Sequence, residues 1–323
     1  MHEVGPAQRF LEVQIERLRR LPRPMRIVFP EGDDPRVRAA AERLAREGLI
    51  EPLLIGRDRG DGGVRCLDPE TDPATARYAA LYYERRKARG VSEREAARIA
   101  RRPLNFAALM VAAGDADGTV GGAANSTAET VRAALHAIGP APGVRTVSGF
   151  FVMALPRSDC GARGLFVFAD CAVVVDPSAH ELAEIALAAA GSVRTLLEAE
   201  PKVALLACAP EAVQDDEQAA KVARALEELG RRGTGFARLC AGDAGEAVEA
   251  GANALIFPNL NAGNIGYKLV ERLAGAAAIG PFLQGLAKPA NDLSRACSAE
   301  DVYAVAIVTA LQAAGVFPGR QGP

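Results

Sequence analysis

A parallel α/β fold is predicted by three observations. Met25-Arg-Ile-Val-Phe29 is an apolar-rich run bounded by prolines, the mark of a strand buried in a sheet. It is followed by the turn Pro30-Glu-Gly-Asp-Asp34, a helix to about Arg46 and a second apolar run, Glu51-Pro-Leu-Leu-Ile55. The same strand, turn and helix rhythm returns after Gly114. Alternation of this length builds neighbouring parallel strands joined by crossover helices.

Each element has a local cause. Phe10, Leu11, Ile15 and Leu18 fall at helical spacing, and Pro22 and Pro24 close that opening helix. Asp34 supplies an N-cap acceptor and Pro35 an N1 residue for the next helix. Asp117-Gly-Thr-Val120 reads as a strand leading into Gly121-Gly-Ala-Ala-Asn-Ser126. Ser126-Thr-Ala-Glu129 is then a capping box that starts a helix to His136. A second box, Ser178-Ala-His-Glu181, starts a long helix to Glu198, and Ser298-Ala-Glu-Asp301 starts the last one. Val203–Cys208 and Ala254–Phe257 read as strands. With 323 residues the chain has length for about two domains, yet no repeat or low-complexity linker marks a boundary.

Composition narrows the function. A formal net charge of −2 supplies no global positive field, so nucleic acid is not expected as a partner. The cysteines at 66, 160, 171, 208, 240 and 297 form no CxxC pair, and His2, His136 and His180 are far apart. Reduced thiols in a cytoplasmic protein, and no metal site, are therefore expected. Met1-His2-Glu3 opens a polar stretch and not a secretory signal, and no apolar run reaches the length of a bilayer span. A soluble protein without a membrane partner is expected. GxGxxG after a strand, GxxxxGK[ST], GxSxG and HExxH are all absent. An enzyme with this sequence would hold phosphates with arginines and helix N-termini.

Three segments could do so. Glu84–Arg102 holds eight Lys or Arg against three Glu. Most of these read as a solvated basic surface, with Arg86 the first candidate for bidentate anion binding. The loop Gly121–Ser126 runs into a helix N-terminus, whose free N–H groups favour an anion, and Arg132 lies six residues beyond the cap. Lys288-Pro-Ala-Asn-Asp-Leu-Ser-Arg-Ala-Cys-Ser-Ala-Glu-Asp301 crowds hydrogen-bonding groups ahead of another helix. That density suits a developing negative charge, and equally suits ordinary capping by Ser298 and Asp301 with Ser294 completing a turn.

The sequence resembles the phosphate acetyltransferase and phosphate butyryltransferase family, in particular its acetyl branch. The resemblance rests on Phe29-Pro-Glu-Gly-Asp33, on Asp115-Ala-Asp-Gly118 with Gly122-Ala-Ala-Asn-Ser-Thr-Ala-Glu-Thr-Val-Arg132, and on Phe168-Ala-Asp170. It rests further on Phe257-Pro-Asn-Leu-Asn-Ala-Gly-Asn-Ile-Gly-Tyr-Lys268 and Gly280-Pro-Phe-Leu-Gln-Gly-Leu-Ala-Lys-Pro-Ala-Asn-Asp-Leu-Ser-Arg295. It implies a two-domain, three-layer α/β/α fold similar to the isocitrate and isopropylmalate dehydrogenases. Residues 1–145 and 280–323 would form domain I, 146–279 domain II, and the active site would lie between them. It also implies a homodimer with contacts through domain II, and a place in acetate metabolism.

The implied reaction is reversible acetyl transfer between acetyl phosphate and coenzyme A, giving acetyl-CoA and phosphate. Coenzyme A is a substrate, and no tightly bound cofactor is implied. The resemblance places catalysis on Ser294, Arg295 and Asp301. It places substrate binding on Arg86 and Arg132, with Ser126, Thr127, Asn291 and Asp292 of the two motifs beside them. The sequence departs from the family in Asn125, where a histidine is usual, in the acidic stretch Leu206–Asp216, in Thr234–Arg238 and in a shortened Cys208–Gly251 segment. A butyryl or other short-chain acyltransferase, a non-catalytic homologue that binds coenzyme A or acyl phosphate, and a dehydrogenase on the same fold are the alternatives.

Overall fold

The computed structural model describes residues 5–57, 63–207, 217–233, 236 and 238–315. The acidic loop from Cys208 to Asp216, and Thr234, Gly235 and Ala237, lie outside the described residues.

Helix α1 (Pro6–Arg19) precedes strand β1 (Met25–Phe29), helix α2 (Pro35–Arg46) and strands β2 (Ile50–Ile55) and β3 (Arg65–Leu67). Helices α3 (Thr75–Arg86), α4 (Glu93–Ala100) and α5 (Pro103–Ala113), strand β4 (Gly118–Gly121) and helix α6 (Thr127–Ala137) follow. Next come β5 (Ser148–Ala154), β6 (Leu165–Ala169), α7 (Ala179–Leu196), β7 (Lys202–Leu206), α8 (Glu217–Arg232) and β8 (Arg238–Gly242). Then come α9 (Ala244–Glu249), β9 (Ala254–Ile256), α10 (Leu260–Ala274), β10 (Ala277–Gln284), β11 (Ala290–Asp292) and α11 (Ala299–Ala313). Asp34 accepts from the Arg36 N–H at the start of α2, and the capping boxes at Ser126, Ser178 and Ser298 are all formed.

Two compact units result. One comprises Gln14–Pro142 with Leu286–Val316, around an all-parallel sheet in the order β11-β4-β1-β2-β3. Alternation along β1 sorts its side chains to two faces. Val28 joins Leu53, Ile55, Tyr78, Tyr82 and Phe106 in one core, whereas Ile27 meets Thr309 of α11 over Gly118. Helices therefore cover both faces, which is why β1 and β2 read as almost unbroken apolar runs. Each large side chain buried this way contributes about 1.5–3 kcal/mol.

The other unit comprises Gly143–Gly285 with the N-terminal residues up to Val13. Its sheet runs β10-β5-β6-β9-β7-β8, antiparallel across β10, β5 and β6 and parallel beyond. Against the expected boundaries at 145/146 and 279/280, the divisions fall at 142/143 and 285/286, and the N-terminal residues up to Val13, expected in domain I, belong to the other unit. The reason for the second shift is β10, which pairs with β5 from Ala277 to Gln284 through an irregularity between Ile279 and Phe282. Gly280-Pro281 forms a bulge within that strand. The Asp170 carboxylate is buried after β6 and accepts from the N–H groups of Ala172, Val173 and Val174, and burial pushes its pKa up. That residue of the Phe168-Ala-Asp170 motif closes a turn.

Among the described residues no helix is long and apolar enough to cross a membrane, and no group of three or more His, Cys, Asp or Glu is placed to hold a metal ion.

Candidate active site

All nine side chains expected at the site lie in the unit built on the all-parallel sheet. Strands β4 and β11 pair in register, Asn291 opposite Val120 and Asp292 opposite Gly121. The loops that leave them, and the Pro30–Asp34 turn that leaves β1, therefore emerge at one carboxyl edge. Parallel α/β sheets present their ligands there, because strand ends and helix N-termini converge.

Hydrogen bonds fasten these loops to one another. Thr127 Oγ1 donates to Asp292 Oδ2 at 2.6 Å, tying the first turn of α6 to the end of β11. Arg36 donates to the carbonyls of Ala123, Arg295 and Cys297 at 2.9, 2.8 and 2.9 Å, while Asp34 holds the guanidinium at 2.7 Å. One guanidinium thus joins the loop before α6 to the loop that bears Ser294 and Arg295. Glu129 accepts from the Ser126 hydroxyl and N–H, which lowers its pKa, and the charges of Arg132 and Arg295 lower it further. Arg132 and Arg295 therefore both act electrostatically on one carboxylate.

The expected anion position in the Gly121–Ser126 loop is already filled by a carboxylate of the chain itself. Glu31, 7% exposed, accepts from the backbone N–H groups of Gly122, Ala123, Ala124 and Asn125 at 2.9–3.1 Å, and from Asn125 Nδ2 at 2.6 Å. These amides form a preorganised anion nest, and the acid after β1 occupies it. Asn125 points its amide into the same nest. On the far side of Gly122, whose φ is +108°, an added Cβ would run into Asp292 Oδ1 and the Leu293 backbone. Burial pushes the Asp292 carboxyl up to about 6, with the charge of Glu31 adding to the effect and donation by Thr127 opposing it. Its Oδ1 is buried without a hydrogen-bond partner among the described residues.

Asn291 and Asp292 differ from their expected role at a ligand surface, since both are 0% exposed. Adjacent strand residues point to opposite faces. Asn291 Nδ2 donates to Thr309 Oγ1 at 2.8 Å and Gln312 Oε1 at 2.6 Å on α11, whereas Asp292 faces α6. They hold the site's walls together. The Ser126 and Thr127 hydroxyls are likewise spent on Glu129 and Asp292. Ser294, Arg295 and Asp301 are exposed, and Asp301 Oδ2 accepts from the Ser298 N–H at 2.7 Å and hydroxyl at 2.8 Å. Among the described residues neither Arg295 nor Arg132 forms an ion pair with a carboxylate, so both charges remain open to an anionic ligand.

Arg86 ends α3 half-buried, its Nε shielded from solvent and without a hydrogen-bond partner among the described residues. It stands one turn beyond buried Tyr82 on α3, and it acts electrostatically on Tyr82 and, together with Arg132 and Arg89, on His136. Sequence reasoning missed Glu31, Arg36 and His136. The first two stand in a turn and a first helical turn, where acids and bases are ordinary, and only the hydrogen bonds distinguish them.

Two α/β units, one of them gathering uncommitted arginines at the carboxyl edge of a parallel sheet, define an α/β protein suited to anionic substrates. The profile of the phosphate acetyl/butaryl transferase family matches residues 10–243 and 244–310, and the chain belongs to that family. It is 44% identical over 300 residues to the phosphate acetyltransferase of Paracoccus denitrificans, covering 88% of this chain and 94% of that protein. To the phosphate acetyltransferase of Clostridium acetobutylicum it is 41% identical over 313 residues, covering 89% and 94%. A phosphotransacetylase from Streptococcus pyogenes superposes with a TM-score of 0.86 at 36% identity, covering 94% of this chain and 98% of that one. The chain is thus an acyltransferase with a two-domain α/β fold.

Proposed function

We propose that this protein is a phosphate acetyltransferase, exchanging an acetyl group between acetyl phosphate and coenzyme A. The observation that supports it most is the fastening of the Ser126–Arg132 and Ser294–Arg295 segments by Arg36 and the Thr127–Asp292 bond. That scaffold leaves Arg132 and Arg295, which both act electrostatically on Glu129, without a carboxylate partner among the described residues. In this reading Arg295 holds the acyl phosphate, Ser294 donates to the oxyanion that develops on the acyl carbonyl, and Arg86 and Arg132 bind phosphate groups of the substrates.

The thiol sulfur of coenzyme A attacks the carbonyl carbon. The C–S bond forms, the C–O bond to phosphorus breaks, and inorganic phosphate departs with both electrons of that bond. Asp301 accepts the thiol proton. An ordinary thiol and an ordinary aspartic acid differ by roughly 4.6 pKa units, about 6 kcal/mol, so the proton transfers as the C–S bond forms and not before. Coenzyme A enters as substrate, and the reaction draws on no tightly bound cofactor.

The test is a thioester-forming assay with coenzyme A and, in turn, acetyl, propionyl and butyryl phosphate. Acetyl phosphate is expected to give the highest kcat/KM, by about tenfold or more over butyryl phosphate, since discrimination between acyl chains that differ by one methylene is worth roughly 10–200-fold. A butyryl preference would place the protein in the other branch. Coenzyme A binding without thioester formation would make it a non-catalytic homologue.

We further propose a homodimer in a reducing cytoplasm, with Cys66, Cys160, Cys171 and Cys297 as free thiols. Ile265, Leu269 and Leu273 repeat every four residues along α10 and are 58%, 52% and 82% exposed, an apolar stripe of the kind that a second copy covers. Leu269→Glu combined with Leu273→Glu is expected to halve the mass measured by sedimentation equilibrium, and an unchanged mass would remove α10 from the interface.

A further inference from the structure

Arg86, Arg89 and Arg132 act together on one small region, and among the described residues none of them forms an ion pair with a carboxylate. At its centre Tyr82, 3% exposed, places its Oη 3.3 Å from His136 Nδ1, and Arg86 stands one turn beyond Tyr82 on α3. With the imidazole neutral, the tyrosine hydroxyl donates to Nδ1, so one hydrogen bond links α3, which bears Arg86, to His136 of α6. The histidine stands in the last turn of α6, on the helix that bears Arg132. The nearby charges are Arg86 of α3, Arg89 of the 3-10 turn Lys87–Arg89 and Arg132 of α6 itself. Tyr82 is faced in addition by Glu95 of α4 and by Arg102, which caps α5.

We propose that Tyr82 and His136 complete the anion site of Arg86 and Arg132 as a proton-coupled relay, in which His136 takes up a proton when a phosphate ester settles on the guanidinium groups. Burial, and then the charges of Arg86, Arg132 and Arg89, hold the His136 pKa below its ordinary value in the free protein. A bound phosphate ester neutralises that field, so the imidazolium becomes easier to form. By linkage the ligand then binds more tightly as pH falls through the histidine range. Protonated Nδ1 donates to Tyr82 Oη, whose own hydrogen turns away from the ring. His136 is here a binding residue that contributes charge only while the site is filled.

The inference rests on the acyl-transfer reading for its ligand class, and the experiment separates the two. Coenzyme A is titrated into the wild-type protein and into H136Q by calorimetry, in buffers of different ionisation enthalpy, between pH 6 and 8. The difference between the two proteins isolates the histidine, because a phosphate monoester with a second pKa near 6 releases protons of its own in both. Near pH 6.5 the wild type is expected to take up about 0.3–0.8 proton more than H136Q, and the ratio of their Kd values to grow about threefold from pH 8 to pH 6. H136N serves in the same comparison should H136Q fail to fold. Coenzyme A bound with equal proton counts by wild type and variant overturns the relay and leaves the acyltransferase standing. No coenzyme A binding by the wild type overturns both.

Discussion

Arg295→Ala is expected to lower kcat for acetyl-CoA formation by about 10²–10³-fold, the scale of one lost charge-stabilising contact, roughly 2.7–4 kcal/mol. The side chain is exposed and among the described residues forms no ion pair with a carboxylate, so its removal leaves packing intact and the melting temperature within about 2 °C of wild type. What it removes, in the proposed mechanism, is the cation facing the departing phosphate. Because that charge matters more as the C–O bond breaks than in the ground state, kcat should fall more than KM rises. Ser294→Ala, deleting a single neutral donor to the oxyanion, should cost about 10–10²-fold. Steady-state kinetics with acetyl phosphate and coenzyme A check both. Wild-type turnover in R295A would remove this loop from the chemistry altogether.

Glu31→Ala should be the most damaging single change to stability in the unit around the parallel sheet, at about 3–5 kcal/mol or a melting temperature lower by roughly 10 °C. Four backbone N–H groups lose their acceptor at once, at a position that is 7% exposed. Unpaired buried donors cost about 1–3 kcal/mol each, and water entering the emptied nest recovers part of the sum. Glu31→Gln keeps the shape but offers one oxygen where two accept, so an intermediate loss is expected. Removing the charge also relieves Asp292, whose pKa Glu31 helps to raise. Asp292, raised from 3.8 to about 6, binds a proton in the folded state that the unfolded chain has lost across that window. Its effect on stability is therefore most favourable at acid pH and declines as pH rises towards 6, then stays level. In Glu31→Gln this decline should end at a lower pH. Thermal denaturation from pH 4 to pH 8 measures it, and a decline unmoved in the variant would show that the two acids do not sense each other.

Much of the architecture was legible because it is local. The Asp34-Pro35 start and the three capping boxes at Ser126, Ser178 and Ser298 need only residues three or four apart, and each forms where the spacing places it. β1 occupies Met25–Phe29 as read, because a strand covered on both faces announces itself as an apolar run. The second domain boundary was not legible, since nothing local to Gly280-Pro281 announces the eight-residue antiparallel strand that carries the chain through it.

The site divides along a similar line. Sequence alone determined that arginines, a glycine-rich turn and a serine–arginine loop belong to a chain that handles anions, because residue types and their order state that chemistry. Which of those groups remain open to a ligand was decided only by tertiary structure. The pairing of β11 with β4 turns Asn291 and Asp292 to opposite faces and buries both, and Glu31, ninety-one residues before Gly122, fills the nest where a phosphate was expected. A hydrogen bond between residues so far apart depends on where the sheet brings its strand ends, and no spacing along the chain encodes that distance.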